Sequence, residues 1–170
     1  EAGLSKPDIL LIDSLQKKKF ITLRIYAMVS NDMSSPEYFY NKRSLKNDVL
    51  NVSSIKAYAD GALGSRGAAL KESYYDQKDH YGAMLISLDS LEVLANRALE
   101  NGFQMNTHAI GDYANSEVLK IYNKVLSSEV DPRWRIEHAQ VISDEDFANF
   151  NEKIIPSVQP SHATSDMYWA

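Results

Sequence analysis

Apolar residues recur along this chain with two alternating periods, one near the 3.6 residues of a helix and one near the 2 of a strand. Residues 7–19 (PDILLIDSLQKKK) carry the helical spacing, with Pro7 suited to a first turn and Lys17, Lys18 and Lys19 to a last one. Residues 20–30 (FITLRIYAMVS), rich in β-branched and aromatic side chains, predict a strand, and 35–50 predict a helix. A strand over 53–61 closes on Gly61. Residues 63–82 have no period and predict a long loop, a feature usually functional or disordered. Residues 87–102 predict a helix that opens on Ser87 and closes on Gly102, the residue types that caps favour. FQMNTH (103–108) then predicts a strand, 112–128 a helix, 134–140 a strand, 143–151 a capped helix and 154–160 a further strand.

Regular alternation of strand and helix implies right-handed βαβ units and a parallel sheet, either doubly wound or closed as an eight-stranded β/α barrel. Polarity separates the two. Lys56, Tyr58 and Asp60 share one face of their strand, as do Gln104, Asn106 and His108 of theirs. A strand covered by helices on both faces reads as nearly continuous apolar residues, which these do not. A polar inner face suits a barrel with a site at its mouth, where the C-terminal strand ends gather chemistry. His108 and His138 close their strands, and Gln159 and His162 close the next.

Composition narrows the picture. The 170 residues, 44% of them hydrophobic, can bury one core, so a single domain over 1–170 is expected. The net charge is −5 and the basic residues are scattered apart from Lys17–Lys19, which leaves no footprint for nucleic acid. The absence of cysteine excludes disulfides, thiolate zinc sites and a cysteine nucleophile. Any metal would rest on histidine, carboxylate or modified lysine. No apolar stretch approaches the roughly 20 residues of a membrane span, and the first residues lack a signal pattern. A cytoplasmic protein without a membrane partner is expected, with a signal peptide on a longer parent left open.

Structural readings stand beside the chemical ones. Lys56 also reads as a snorkelling or salt-bridged lysine, Asp112 as the N-cap of the helix it precedes, and His138 as part of a surface ion cluster with Arg135 and Glu137. His80 reads as a solvated loop residue. What favours chemistry is the recurrence of histidine at the ends of successive strands.

The segments IKAYADGALGSRGAAL (55–70), GFQMNTHAIGDYAN (102–115), RWRIEHAQ (133–140) and SVQPSHATSDM (157–167) resemble the amidohydrolase superfamily, in particular its YtcJ-like branch, which includes N-substituted formamide deformylase. The resemblance implies a partial (β/α)8 barrel of about five β/α units, with a divalent metal, usually zinc, at the mouth. It makes Lys56, His108 and His138 the metal-ligand positions, Lys56 being where some members carry a carbamylated lysine bridging two metals. Asp60, Arg66, Asp112, Gln159 and His162 fall where substrate would bind, with the loop from Asp60 through Gly64 and Ser65 to Arg66 over the mouth. Neutral imidazole is a good zinc ligand, and carbamylation turns a cationic amine into an anionic oxygen donor. Bound metal activates water and polarises a carbonyl, which implies hydrolysis of an amide, formamide or related C–N bond in a small molecule.

The superfamily pattern also needs a His-x-His pair on its first strand and an aspartate after its eighth, and this sequence has neither at those places. A full barrel takes roughly 250 residues. The chain therefore reads as the interior piece of a longer enzyme, with little activity of its own and a site that can lack metal. Strands at 20–29 and 154–160 would be left without neighbours, so a homo-oligomer is expected. The alternative reading is a catalytically silent domain of the same fold that binds a small molecule or a partner.

Overall fold

Helix α1 (Lys6–Lys17) starts where its sequence supplies a complete cap. Ser5 and Asp8 exchange hydrogen bonds between side chain and backbone as a capping box, and Pro7 needs no donor in the first turn. The following strand, β1 (Ile25–Ser30), is shorter than the expected 20–30: Phe20 and Leu23 are exposed, and pairing begins only at Ile25. Helix α2 (Ser35–Lys42) ends early, and Leu45–Lys46 forms a short strand, β2, where helix was expected. Strand β3 (Leu50–Tyr58) pairs parallel with β1 and antiparallel with β2.

A computed structural model of the chain describes residues 1–32, 34–42, 45–127 and 131–166. The parts of the expected helices at 43–44 and 128, and the end of the last motif at 167, lie outside the described residues. The remaining elements are α3 (Leu88–Glu100), β4 (Gln104–Ala109), α4 (Asp112–Val125), β5 (Trp134–His138), β6 (Ile154–Ser157) and the single turn α5 (His162–Ser165). Helix α3 has the expected ends: Ser87 Oγ accepts from the Ser90 N–H, and Gly102 sits at φ +71°. The segment Asp144–Asn149 is a 3-10 helix rather than an α-helix, and Ser143 makes no side-chain cap bond to it.

The sheet is parallel apart from β2, and its order β1-β3-β4-β5-β6 follows the chain. A doubly wound sheet reverses its strand order part-way, whereas a β/α barrel never does. The connectivity is that of part of such a barrel.

By backbone proximity the chain divides into two compact units, Glu1–Ala57 with Arg97–Asn106, and Tyr58–Asn96 with Thr107–Ala170. The first buries Ile9, Val29, Phe39, Leu50, Val52, Ile55, Phe103 and Met105. In it β1 does not present the open edge expected at 20–29. Leu4 pairs parallel with Val29, donating its N–H to Met28 and accepting from Ser30. The second unit buries Leu119, Tyr122, Trp134 and Ile136, with the Tyr122 and Trp134 rings edge to face at 4.9 Å. Its long irregular segment is ordered by backbone bonds such as Leu70 to Tyr81 and Leu85 to Ala59, and Leu63, Ala68 and Tyr74 pack with Ile110.

Candidate metal centre

His108, the last residue but one of β4, has a side chain that is 13% exposed. Its Nε2 lies 3.1 Å from the Gly61 carbonyl and 3.5 Å from Asp60 Oδ1. A carbonyl only accepts, so Nε2 carries the hydrogen and Nδ1 is the basic nitrogen. Strand β5 ends on His138, whose Nδ1 lies 2.9 Å from Gln159 Oε1. With Gln159 Oε1 accepting, Nδ1–H is the donor and Nε2 the basic nitrogen. The two rings meet at 4.7 Å between centroids, steeply inclined at 70°. Metal-binding histidines almost always have their second nitrogen held this way by a carbonyl or carboxylate.

The loop behind His108 is fixed by buried polar groups. Asp60 Oδ1 accepts from Ile110 N–H at 3.0 Å, and Oδ2 accepts from Gly111 at 2.8 Å and Ala69 at 2.9 Å. Burial pushes the Asp60 carboxyl above the ordinary carboxylate range, while the N–H groups of Gly111, Ile110 and Ala69 pull it back. Asn115 Nδ2, buried on α4, lies within 3.3 Å of four carbonyls: Ala109, Ile110, Gly111 and, from the segment after β5, Val141. A Cβ added to Gly111 would sit 1.9 Å from the Ala69 carbonyl, so the two segments touch at backbone distance. The end of β5 is held differently. His138 (φ +77°) and Ala139 (φ +42°) are successive left-handed residues, which side chains other than glycine adopt only under constraint.

The other expected residues fall as follows. Lys56, 3% exposed, is in the first unit beside Ser30 of β1. Asp60, expected to meet substrate, accepts from three backbone N–H groups, and its Oδ1 also lies 3.5 Å from His108 Nε2. Arg66 is paired with Asp76 through Nε and Nη2. Asp112 is the first residue of α4, with Gly111 as N-cap, and its Oδ1 accepts from the N–H groups of Lys71 and Tyr113. Gln159 holds His138, and the His162 ring stacks on the His138 ring at 5.9 Å. Arg135 and Glu137 form the expected ion pair, but His138 turns to Gln159. His80 is not simply solvated: its Nε2–H donates to the Arg66 carbonyl and its ring packs on Tyr74. Asn115 went unrecognised in the sequence. An asparagine inside a helical run, where it is intrinsically unfavourable, was its one signal.

The amidohydrolase family pattern matches residues 4–170. This chain belongs to the amidohydrolase family. It is 32% identical over 162 residues to the protein LONG AFTER FAR-RED 3 of Arabidopsis thaliana, covering 94% of this chain and 28% of that protein. It is 33% identical over 126 residues to the putative amidohydrolase YtcJ of Bacillus subtilis (strain 168), covering 74% of this chain and 24% of YtcJ. Among solved structures, uncharacterized metal-dependent hydrolases of Pyrococcus furiosus and Pyrococcus horikoshii OT3 superpose with TM-scores of 0.83 and 0.84, at 26% and 24% identity. The match covers 97% and 98% of this chain and 34% of each of theirs. The chain thus spans about a third or less of the relatives it matches.

The amidohydrolase fold and these metal-dependent neighbours support a divalent metal, and His108 with His138 fits one in kind. Both are imidazoles with an oriented second nitrogen. In number they fall short, since a catalytic zinc takes three protein ligands. Among the described residues, no group of three or more histidine, aspartate, glutamate or cysteine side chains is arranged to hold a metal ion. No helix among the described residues is long and apolar enough to cross a membrane.

Proposed function

We propose that this chain is the histidine-bearing part of a metal-dependent hydrolase that cleaves a C–N bond, an amide or formamide, in a small molecule. The observation that carries this reading is the pair His108 and His138, 4.7 Å apart, each with one nitrogen held by a carbonyl oxygen. Bound there, the metal would activate water and polarise the scissile carbonyl. The chain's own part is to hold the two rings in one tautomer each and to brace the loop behind His108 through Asp60 and Asn115.

The metal on this reading is zinc, and Lys56 carries a carbamate, formed when its amine adds carbon dioxide and releases a proton. With two imidazoles for a zinc ion, the isolated chain hydrolyses amides poorly or not at all.

Titration with Zn2+ and Co2+ tests the centre. We expect weak binding that drops at least tenfold in both His108→Ala and His138→Ala. Unchanged affinity in either variant would sink the reading. Carbamylation is read by intact mass under carbon dioxide: a gain of one CO2 in the native chain and none in Lys56→Ala is expected.

A further inference from the structure

A cavity of about 390 Å³ opens beside His138. Its walls include Leu63, Val141, Val158, Pro160 and Ala163, all apolar, and its polar lining includes Gln140 and Asp166. Gln140 Nε2 donates to Asp166 Oδ2 at 2.8 Å, and the Ser165 hydroxyl donates to Oδ1 at 2.7 Å. These fix the carboxylate in place and leave each oxygen a further lone pair. The Ser165 hydroxyl and the Gln140 amide hold the Asp166 carboxyl below the ordinary carboxylate range, so it is anionic at neutral pH. Two histidines, His138 and His162, line the cavity as well, and no lysine or arginine does.

We propose that this cavity is a specificity pocket for a compact apolar group bearing an amine, whose N–H donors meet Asp166 while its hydrocarbon lies on Leu63 and Val158. The volume is that of a small-ligand pocket, and the mix of apolar walls with a few fixed polar groups is what orients a ligand in such sites. An anion of the same shape would meet the Asp166 charge, and no lysine or arginine lines the cavity to offset it. Because His138 is one wall, a group seated here would have its far end at the candidate metal centre. That the group is part of a substrate rests on the hydrolase reading; that the cavity selects amines does not.

The test uses the metal-free full chain, so that no amine can bind through a metal. Benzylamine is titrated while backbone amide resonances are followed, with benzoate as the isosteric anion. Saturable shifts at Leu63, Val158 and Ala163 are expected with benzylamine and none with benzoate. Asp166→Asn should weaken benzylamine at least tenfold, the scale of a charge-assisted hydrogen bond, while zinc affinity stays as in the native chain. Val158→Phe, which narrows the cavity from an exposed position, should weaken it as well. Equal binding of benzoate, shifts elsewhere on the surface, or an Asp166→Asn chain that binds benzylamine normally would overturn the proposal. A native chain that binds zinc but not benzylamine would overturn the pocket alone and leave the metal centre standing.

Discussion

The ends of β4 and β5 each present a histidine, yet they are built by opposite means. At the end of β4 the backbone is relaxed, and buried side chains do the holding: Asp60 takes three main-chain N–H groups and Asn115 reaches four carbonyls. At the end of β5 the backbone itself is constrained, with two successive residues at positive φ, and one side-chain bond to Gln159 sets the ring. The first arrangement fixes position through hydrogen bonds that fail together. The second fixes direction through strain that can be released locally. Removing a side chain that braces the β4 end should therefore act on stability, and removing the one that sets the ring at the β5 end on metal binding.

The largest effect is expected for Asp60→Ala. It strands three buried N–H groups, so we expect a loss of about 3–5 kcal/mol in urea unfolding, with the resonances of Ile110 and Gly111 broadened or shifted. Gly111→Ala should come next, at about 2 kcal/mol, because its methyl group meets the Ala69 carbonyl although its backbone angles suit alanine. A third variant moves to the β5 end. Gln159→Leu releases the His138 tautomer and should weaken Co2+ binding roughly tenfold with little change in unfolding. The smallest effect belongs to Ala139→Gly, which relieves a left-handed alanine and should stabilise the fold by roughly 0.5–1 kcal/mol. If Ala139→Gly destabilises, or Asp60→Ala unfolds like the native chain, the contrast between the two ends is wrong.

Most of the architecture was legible because period and residue type act locally. The helix at 87–102 announced both its caps, and the strand ending in His108 alternated polar and apolar as a barrel strand does. Boundaries slipped where local preference lost to pairing: Phe20–Arg24 has strand-like residues but no described partner strand, and Leu45–Lys46 left a helical run to pair with β3. The 3-10 form at 144–149 was equally hidden. The histidine pair was legible as strand ends, but its tautomers were not, since Gly61 and Gln159 stand 47 and 21 residues away from their partners. Asp60 illustrates the limit most clearly. Its partners lie 9, 50 and 51 residues away, so a buried aspartate that fastens a loop looks in sequence like one that meets a substrate.

That Asp60 holds three main-chain N–H groups also shapes how this part of the molecule can vary over evolutionary time. A backbone N–H is supplied by every residue except proline, so the bonds to Ala69 and Ile110 survive exchange for any apolar residue that fills the same space. Gly111 alone is tied to its identity, by room rather than by bonding. A lineage can therefore redraw the surface of this loop while aspartate and glycine persist at its base, and His108 keeps its place through the change.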